Sequence, residues 1–153
     1  MIKKRGIQRQ RDPGTCGQHA LKNALLQLNH SISKREAFTA CGVTRKEVND
    51  GGTDEKELIR AIRHLGFRYS VLDTYSRKAA HRFINKHLDS GSPIIICVQY
   101  FQHWAVLAQR DNGKYVWIDS SDDELVGSWE IGDILWWMRC LFRYYAIAIN
   151  PLP

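Results

Sequence analysis

The stretch SPIIICVQYFQHWAVLAQRDNGKYVWIDS, Ser92 to Ser120, decides the fold. Its apolar run Ile94 to Val98 predicts a buried strand, and His103 to Gln109 and Tyr115 to Asp119 predict two more. Between the latter two lies Arg110-Asp-Asn-Gly-Lys114. Asn-Gly between apolar runs is the strongest short-range hairpin signal, because both residues tolerate the positive φ of a tight turn. Further on, a short helix near Ile131 to Met138 leads to a fourth strand over Tyr144 to Ile149.

Ahead of this stretch the hydrophobic period becomes helical. Cys16, Ala20, Leu21, Ala24, Leu25 and Leu28 share one face of a helix, with Thr15 as N-cap and Asn29 near its end. Ser33-Lys-Arg-Glu36 and Thr44-Arg-Lys-Glu47 have capping-box form, and Gly42 closes the first of these helices. Thr53, followed by Asp54 and Glu55, starts a helix with Leu58, Ile59, Ile62 and Leu65 on one face, stopped by Gly66. Another helix runs from about Arg77 to Leu88. Helices first and an antiparallel sheet second make an α+β domain, expected to span residues 1–153.

Composition narrows the function classes. With 44% hydrophobic and 25% charged residues, the 153-residue chain is not of the disordered, collagen-like or disulfide-scaffold type. Ile94 to Val98 is far shorter than the ~18 residues of a membrane span. The basic start Met1-Ile-Lys-Lys-Arg5 is followed by polar residues instead of the apolar core of a signal peptide, so a cytoplasmic location is expected. Cysteines 16, 41, 97 and 140 form no Cys-x-x-Cys pair; they read as buried thiols or a catalytic thiol, with no metal and no cofactor expected. The net charge of +6 is concentrated in residues 1–50, which carry 10 basic and 4 acidic groups. No nucleic-acid signature accompanies it, so it reads as a solvated basic arm.

Cys16 stands at the first turn of its helix, where unsatisfied N–H groups and the helix dipole favour a thiolate. The plain alternative is a small buried apolar residue. His103 and Asp119 bear on that choice through the hairpin. A three-residue loop, Asp111-Asn112-Gly113, sets Ala105 opposite Asp119 and puts His103 on the same sheet face, ~7–8 Å away diagonally. A two-residue turn on Asn112-Gly113 shifts the register by one and separates them. The plain readings are a structural histidine beside Trp104 and a strand-end aspartate entering the acidic turn Ser120 to Glu124.

Taken in order, these residues resemble a known pattern. QRDPGTCGQHALKNALLQL, Gln10 to Leu28, resembles the start of the double-glycine leader peptidases, papain-like cysteine peptidases often found at the N-terminus of bacteriocin-exporting ABC transporters. GTDEKELIRAIRHLGF resembles that family's helix ending at a glycine before a short strand, and Ser92 to Ser120 resembles its core. Thr15 departs from the acidic residue common before the family's cysteine, and Ser120 from the proline common after its aspartate. The resemblance implies a papain-like fold with the nucleophile helix packed on the sheet. It implies Cys16 as nucleophile, His103 as acid and base, Asp119 as the group that orients His103, and Gln10 with the Cys16 N–H as oxyanion hole. Gly17 and Trp104 are expected to line the substrate cleft, Gly17 by leaving room for substrate.

The implied function is hydrolysis of a peptide bond in a peptide or protein substrate, after small residues such as glycine. An amidase or acyltransferase using the same thiol, or a non-catalytic module gripping a peptide or polyanion, are the alternatives. His19 reads as structural, Cys41, Cys97 and Cys140 as core, and the aromatic block Trp136 to Tyr145 as packing on the sheet. Gly51-Gly52 reads as a loop, not as a cleavage site.

Overall fold

The short helices of the first half begin at reciprocal caps, each worth about 1 kcal/mol. In the computed structural model, which describes residues 2–12, 14–99, 102–139 and 143–152, Ser33 with Glu36 opens α2 (Lys34–Cys41) and Thr44 with Glu47 opens α3 (Arg45–Gly51). For α4 (Glu55–His64) the cap is Asp54 and not Thr53: the Asp54 carboxylate accepts from the Glu57 N–H at 2.8 Å. The first helix, α1 (Cys16–Gln27), has no side-chain cap, because the Thr15 hydroxyl donates instead to the Asp12 carbonyl at 2.9 Å.

The remaining elements are β1 (Arg68–Thr74), α5 (Arg77–Asp89), β2 (Ile94–Val98), β3 (His103–Asp111), β4 (Lys114–Ile118), β5 (Val126–Trp129), α6 (Ile131–Met138) and β6 (Tyr144–Asn150). The strands form one antiparallel sheet in the order β1-β6-β2-β3-β4-β5. One apolar layer joins α1, α2 and α4 to the sheet through Ile95, Cys97, Trp104, Val106, Ile118 and Ile147. A second joins α5 and α6 to the opposite face through Ile94, Ile96, Ala105, Leu107, Trp117 and Ala146. β2 is buried on both faces, which is why it is apolar at every position. The helices therefore cover both sides of the sheet.

Of the two loop types open to the hairpin, it takes the shorter. Asp111 pairs with Lys114, so the loop is the two-residue turn Asn112-Gly113, with φ of 49° and 79°. That turn alone would put His103 and Asp119 on opposite faces. A β-bulge between Leu107 and Gln109 inserts one extra residue and restores the other register: Leu107 pairs with Trp117 and Val106 with Ile118. Continued, this sets Ala105 opposite Asp119.

Candidate active site

Three elements converge on the candidate site. Cys16 is the first residue of α1, which packs across β3; His103 opens β3; Asp119 follows β4. All three are buried. His103 Nε2 lies 2.8 Å from both oxygens of Asp119, and Cys16 stands near enough to act on the same ring. With Nε2 turned to the carboxylate, Nδ1 is the nitrogen left for the sulfur.

Burial opposes the charged forms here and is outweighed. It pushes the His103 imidazole down, but hydrogen bonds to Asp119 and Cys16, and the charges of both, lift it to about 9. Burial likewise pushes the Asp119 carboxyl up, and the His103 hydrogen bond and charge, with the Ser121 N–H and hydroxyl, hold it below the usual carboxylate range. Histidine and aspartate therefore form a buried ion pair.

Ser121 was not foreseen. Its N–H and its hydroxyl each donate to Asp119 Oδ1 at 2.8 Å, and the hydroxyl lies 3.2 Å from His103 Nε2. The signal for it was Asp-x-Ser after a strand, since an Asp side chain readily accepts the backbone N–H two residues on. Asn23 of α1 was also missed; its amide donates to the Ser120 hydroxyl at 3.0 Å and ties the helix to the segment after Asp119.

Gln10 is held on the same segment, its N–H donating to the Ser120 carbonyl at 2.7 Å. Its side-chain Nε2 donates to the Asp12 carbonyl at 2.9 Å, which commits one of two amide hydrogens. Asp12 thus fixes both ends of the turn before Cys16, accepting from Gln10 and Thr15 on one carbonyl. Gly14, within this turn, has φ of +74°, and a Cβ there would stand 2.1 Å from the Val48 carbonyl oxygen.

Gly17 does not open onto a cleft. It is buried, and a Cβ would stand 2.6 Å from Thr53 Cβ, so the missing side chain admits Thr53 rather than substrate. Thr53, freed from capping α4, exchanges hydrogen bonds with the Gln18 amide, and its carbonyl accepts from Trp104 Nε1 at 2.7 Å. Trp104 and Thr53 line a cavity of about 240 Å³ whose wall also includes Asp54, Glu55, Arg143 and Tyr145.

The other singled-out residues separate clearly. Cys41 and Cys97 are buried, and burial, with the Glu57 charge, pushes the Cys41 thiol up to about 12. Cys140 and Phe142 lie outside the described residues. Tyr144 and Tyr145 are buried, whereas Trp136 is 67% exposed. Gly51 ends α3 and Gly52 is its C-cap. Among the described residues no group of three His, Cys, Asp or Glu could hold a metal ion, and no helix is long and apolar enough to cross a membrane.

No family model and no curated protein matches the chain. Solved structures do. The peptidase domain of Streptococcus ComA, a bi-functional ABC transporter of a quorum-sensing pathway, aligns over 95% of this chain and 97% of its own with a TM-score of 0.67 at 16% identity. A double glycine motif protease from an AMS/PCAT transporter, solved with its leader peptide, aligns over 95% and 91% with a TM-score of 0.67 at 17% identity. The fold is that of double-glycine peptidase domains. The peptidase domain of Streptococcus mutans ComA agrees, with a TM-score of 0.60 at 15% identity over 95% and 98% of the two chains. The chain is thus a papain-like α+β fold, with α1 packed on the sheet as expected.

Proposed function

We propose that this chain is a cysteine peptidase that cleaves a peptide or protein substrate after small residues such as glycine. The observation that carries the reading is the buried cluster of Cys16, His103 and Asp119 at the start of a helix, with the imidazole held 2.8 Å from the carboxylate. Cys16 attacks the scissile carbonyl as the thiolate of a Cys–His pair. His103 protonates the leaving amine and then takes a proton from the water that releases the acyl group. Asp119 holds the ring so that one nitrogen faces the sulfur. The second amide hydrogen of Gln10 and the Cys16 N–H stabilise the oxyanion, an effect of about 3–4 kcal/mol per donor in the best-studied case. Similarity to a protease solved with a leader peptide supports a peptide as the substrate class.

The test pairs labelling with cleavage. At neutral pH a thiol alkylator should modify Cys16 well before Cys41 and Cys97, and Cys16→Ala should abolish cleavage of a peptide containing Gly-Gly. Equal labelling of the three thiols, or cleavage that survives Cys16→Ala, rejects the proposal. Transfer of the acyl group to an added amine in preference to water would instead identify an acyltransferase.

A further inference from the structure

Four cations, Arg9, Arg11, Lys34 and Arg45, line a hollow of about 540 Å³ with one carboxylate, Asp12. Asp12 is already occupied: its oxygens take Lys34 at 2.5 Å and Arg45 at 2.6 Å, and these bonds hold its carboxyl below the usual range. Arg9 pairs with the exposed Asp123, and Arg11 is exposed with no hydrogen-bond or ion-pair partner among the described residues. The hollow therefore keeps a positive excess. A second hollow, lined by Lys22, shares Gln8 and Lys34 as wall residues with it.

A second observation points to a ligand. His19 also lines the hollow, is 97% buried, and its Nε2 has no hydrogen-bond partner among the described residues. Burial, reinforced by the Lys22 and Lys34 charges, pushes the imidazole down to about 4, so the ring is neutral and an Nε2–H can donate to an oxygen. Buried polar atoms without partners are rare in folded proteins, and a ligand carboxylate would satisfy this one. Among the described residues no Trp, Tyr or Phe lines the hollow, so they offer nucleic-acid bases no stacking platform there.

The hollow adjoins the candidate site. Asp12 is the residue whose carbonyl holds the Gln10 amide, and His19 lies one turn along α1 from Cys16. We infer that it binds carboxylates of an acidic segment of the peptide substrate, beside the scissile bond; this deepens the peptidase reading and rests on it.

Binding to the Cys16→Ala protein tests the inference without requiring turnover. The probes are a fluorescent Gly-Gly peptide followed by Asp-Glu-Asp-Glu and its counterpart with Asn-Gln-Asn-Gln. At low salt the acidic peptide should bind about tenfold tighter, as several exposed ion pairs allow. Arg9→Gln with Arg11→Gln should bring the two affinities together, whereas Lys114→Gln, far along the hairpin, should preserve the preference. Equal affinities in the parent protein, or a preference that survives the double variant, overturn the inference. So does tighter binding of a single-stranded oligonucleotide of equal charge, which would mark a general polyanion surface. If the acidic preference holds but the protein with Cys16 intact leaves the bound peptide uncut, the peptidase reading fails and the binding site stands.

Discussion

At the residue scale, the buried His103–Asp119 pair makes two predictions. Asp119→Asn should keep the fold and lower kcat by on the order of 10²-fold or more, because the ring loses the partner that orients it; wild-type turnover in the variant would remove Asp119 from the site. The pair also ties stability to pH. His103 titrates at about 9 in the folded chain against about 6.5 unfolded, so its contribution is complete below pH 6.5 and lost as pH rises through about 9. Asp119 acts at the other end: its pKa is lowered, so its contribution is present above the unfolded value and lost as pH falls through the folded one. The urea midpoint should therefore fall between roughly pH 6 and pH 9.5 for the parent protein and fall less for His103→Gln; parallel falls would deny the coupling. Ser121→Ala removes one of three donors to Asp119 Oδ1, so it should move the acid limb of kcat/KM to higher pH. An unchanged acid limb would make the hydroxyl merely structural.

At the element scale, the bulge decides which face His103 and Asp119 share. Deleting Ala108 should leave Leu107 opposite Trp117 and the site intact, since it only regularises the ladder. Inserting one residue between Trp117 and Ile118 should carry Asp119 to the other face and abolish activity, with the hairpin still formed by circular dichroism. Activity in the insertion variant, or none in the deletion variant, would show that register does not govern the site. The same hairpin marks how far the sequence could be read. Asn112-Gly113 was legible because a turn is a local choice, and so were the Ser33 and Thr44 caps. The bulge was not, since it answers to packing of Val106 and Trp117 on opposite faces of the sheet. Thr53 was read as a cap because its neighbours are acidic, yet Asp54 caps and Thr53 serves Gly17, Gln18 and Trp104 across distant sequence. Gly17→Ala should accordingly cost about 1–3 kcal/mol by urea denaturation, with Thr53→Ala giving no relief, because the atom met is Thr53 Cβ itself. β5, short and only half-buried, carried no pattern to read.

At the scale of the whole molecule, the candidate site was legible as a set of residue types in order, while its assembly depended on contacts between the two ends of the chain. Gln10 is fastened to Ser120 and Arg9 to Asp123, so the arm before α1 closes onto the loop after β4. Removing residues 2–9 should lower kcat more than it lowers the urea midpoint; loss of stability in proportion would make the arm structural only. β6, the last strand in the chain, lies in the sheet between β1 and β2, and its Tyr144 to Asn150 backbone pairs along the full length of β1. A chain emerging from the ribosome therefore carries Cys16 early but has no closed sheet beneath it until the final strand slots into the middle. For the proposed peptidase this order implies latency during synthesis: Cys16 is made early, and the strand that completes the sheet beneath it comes late.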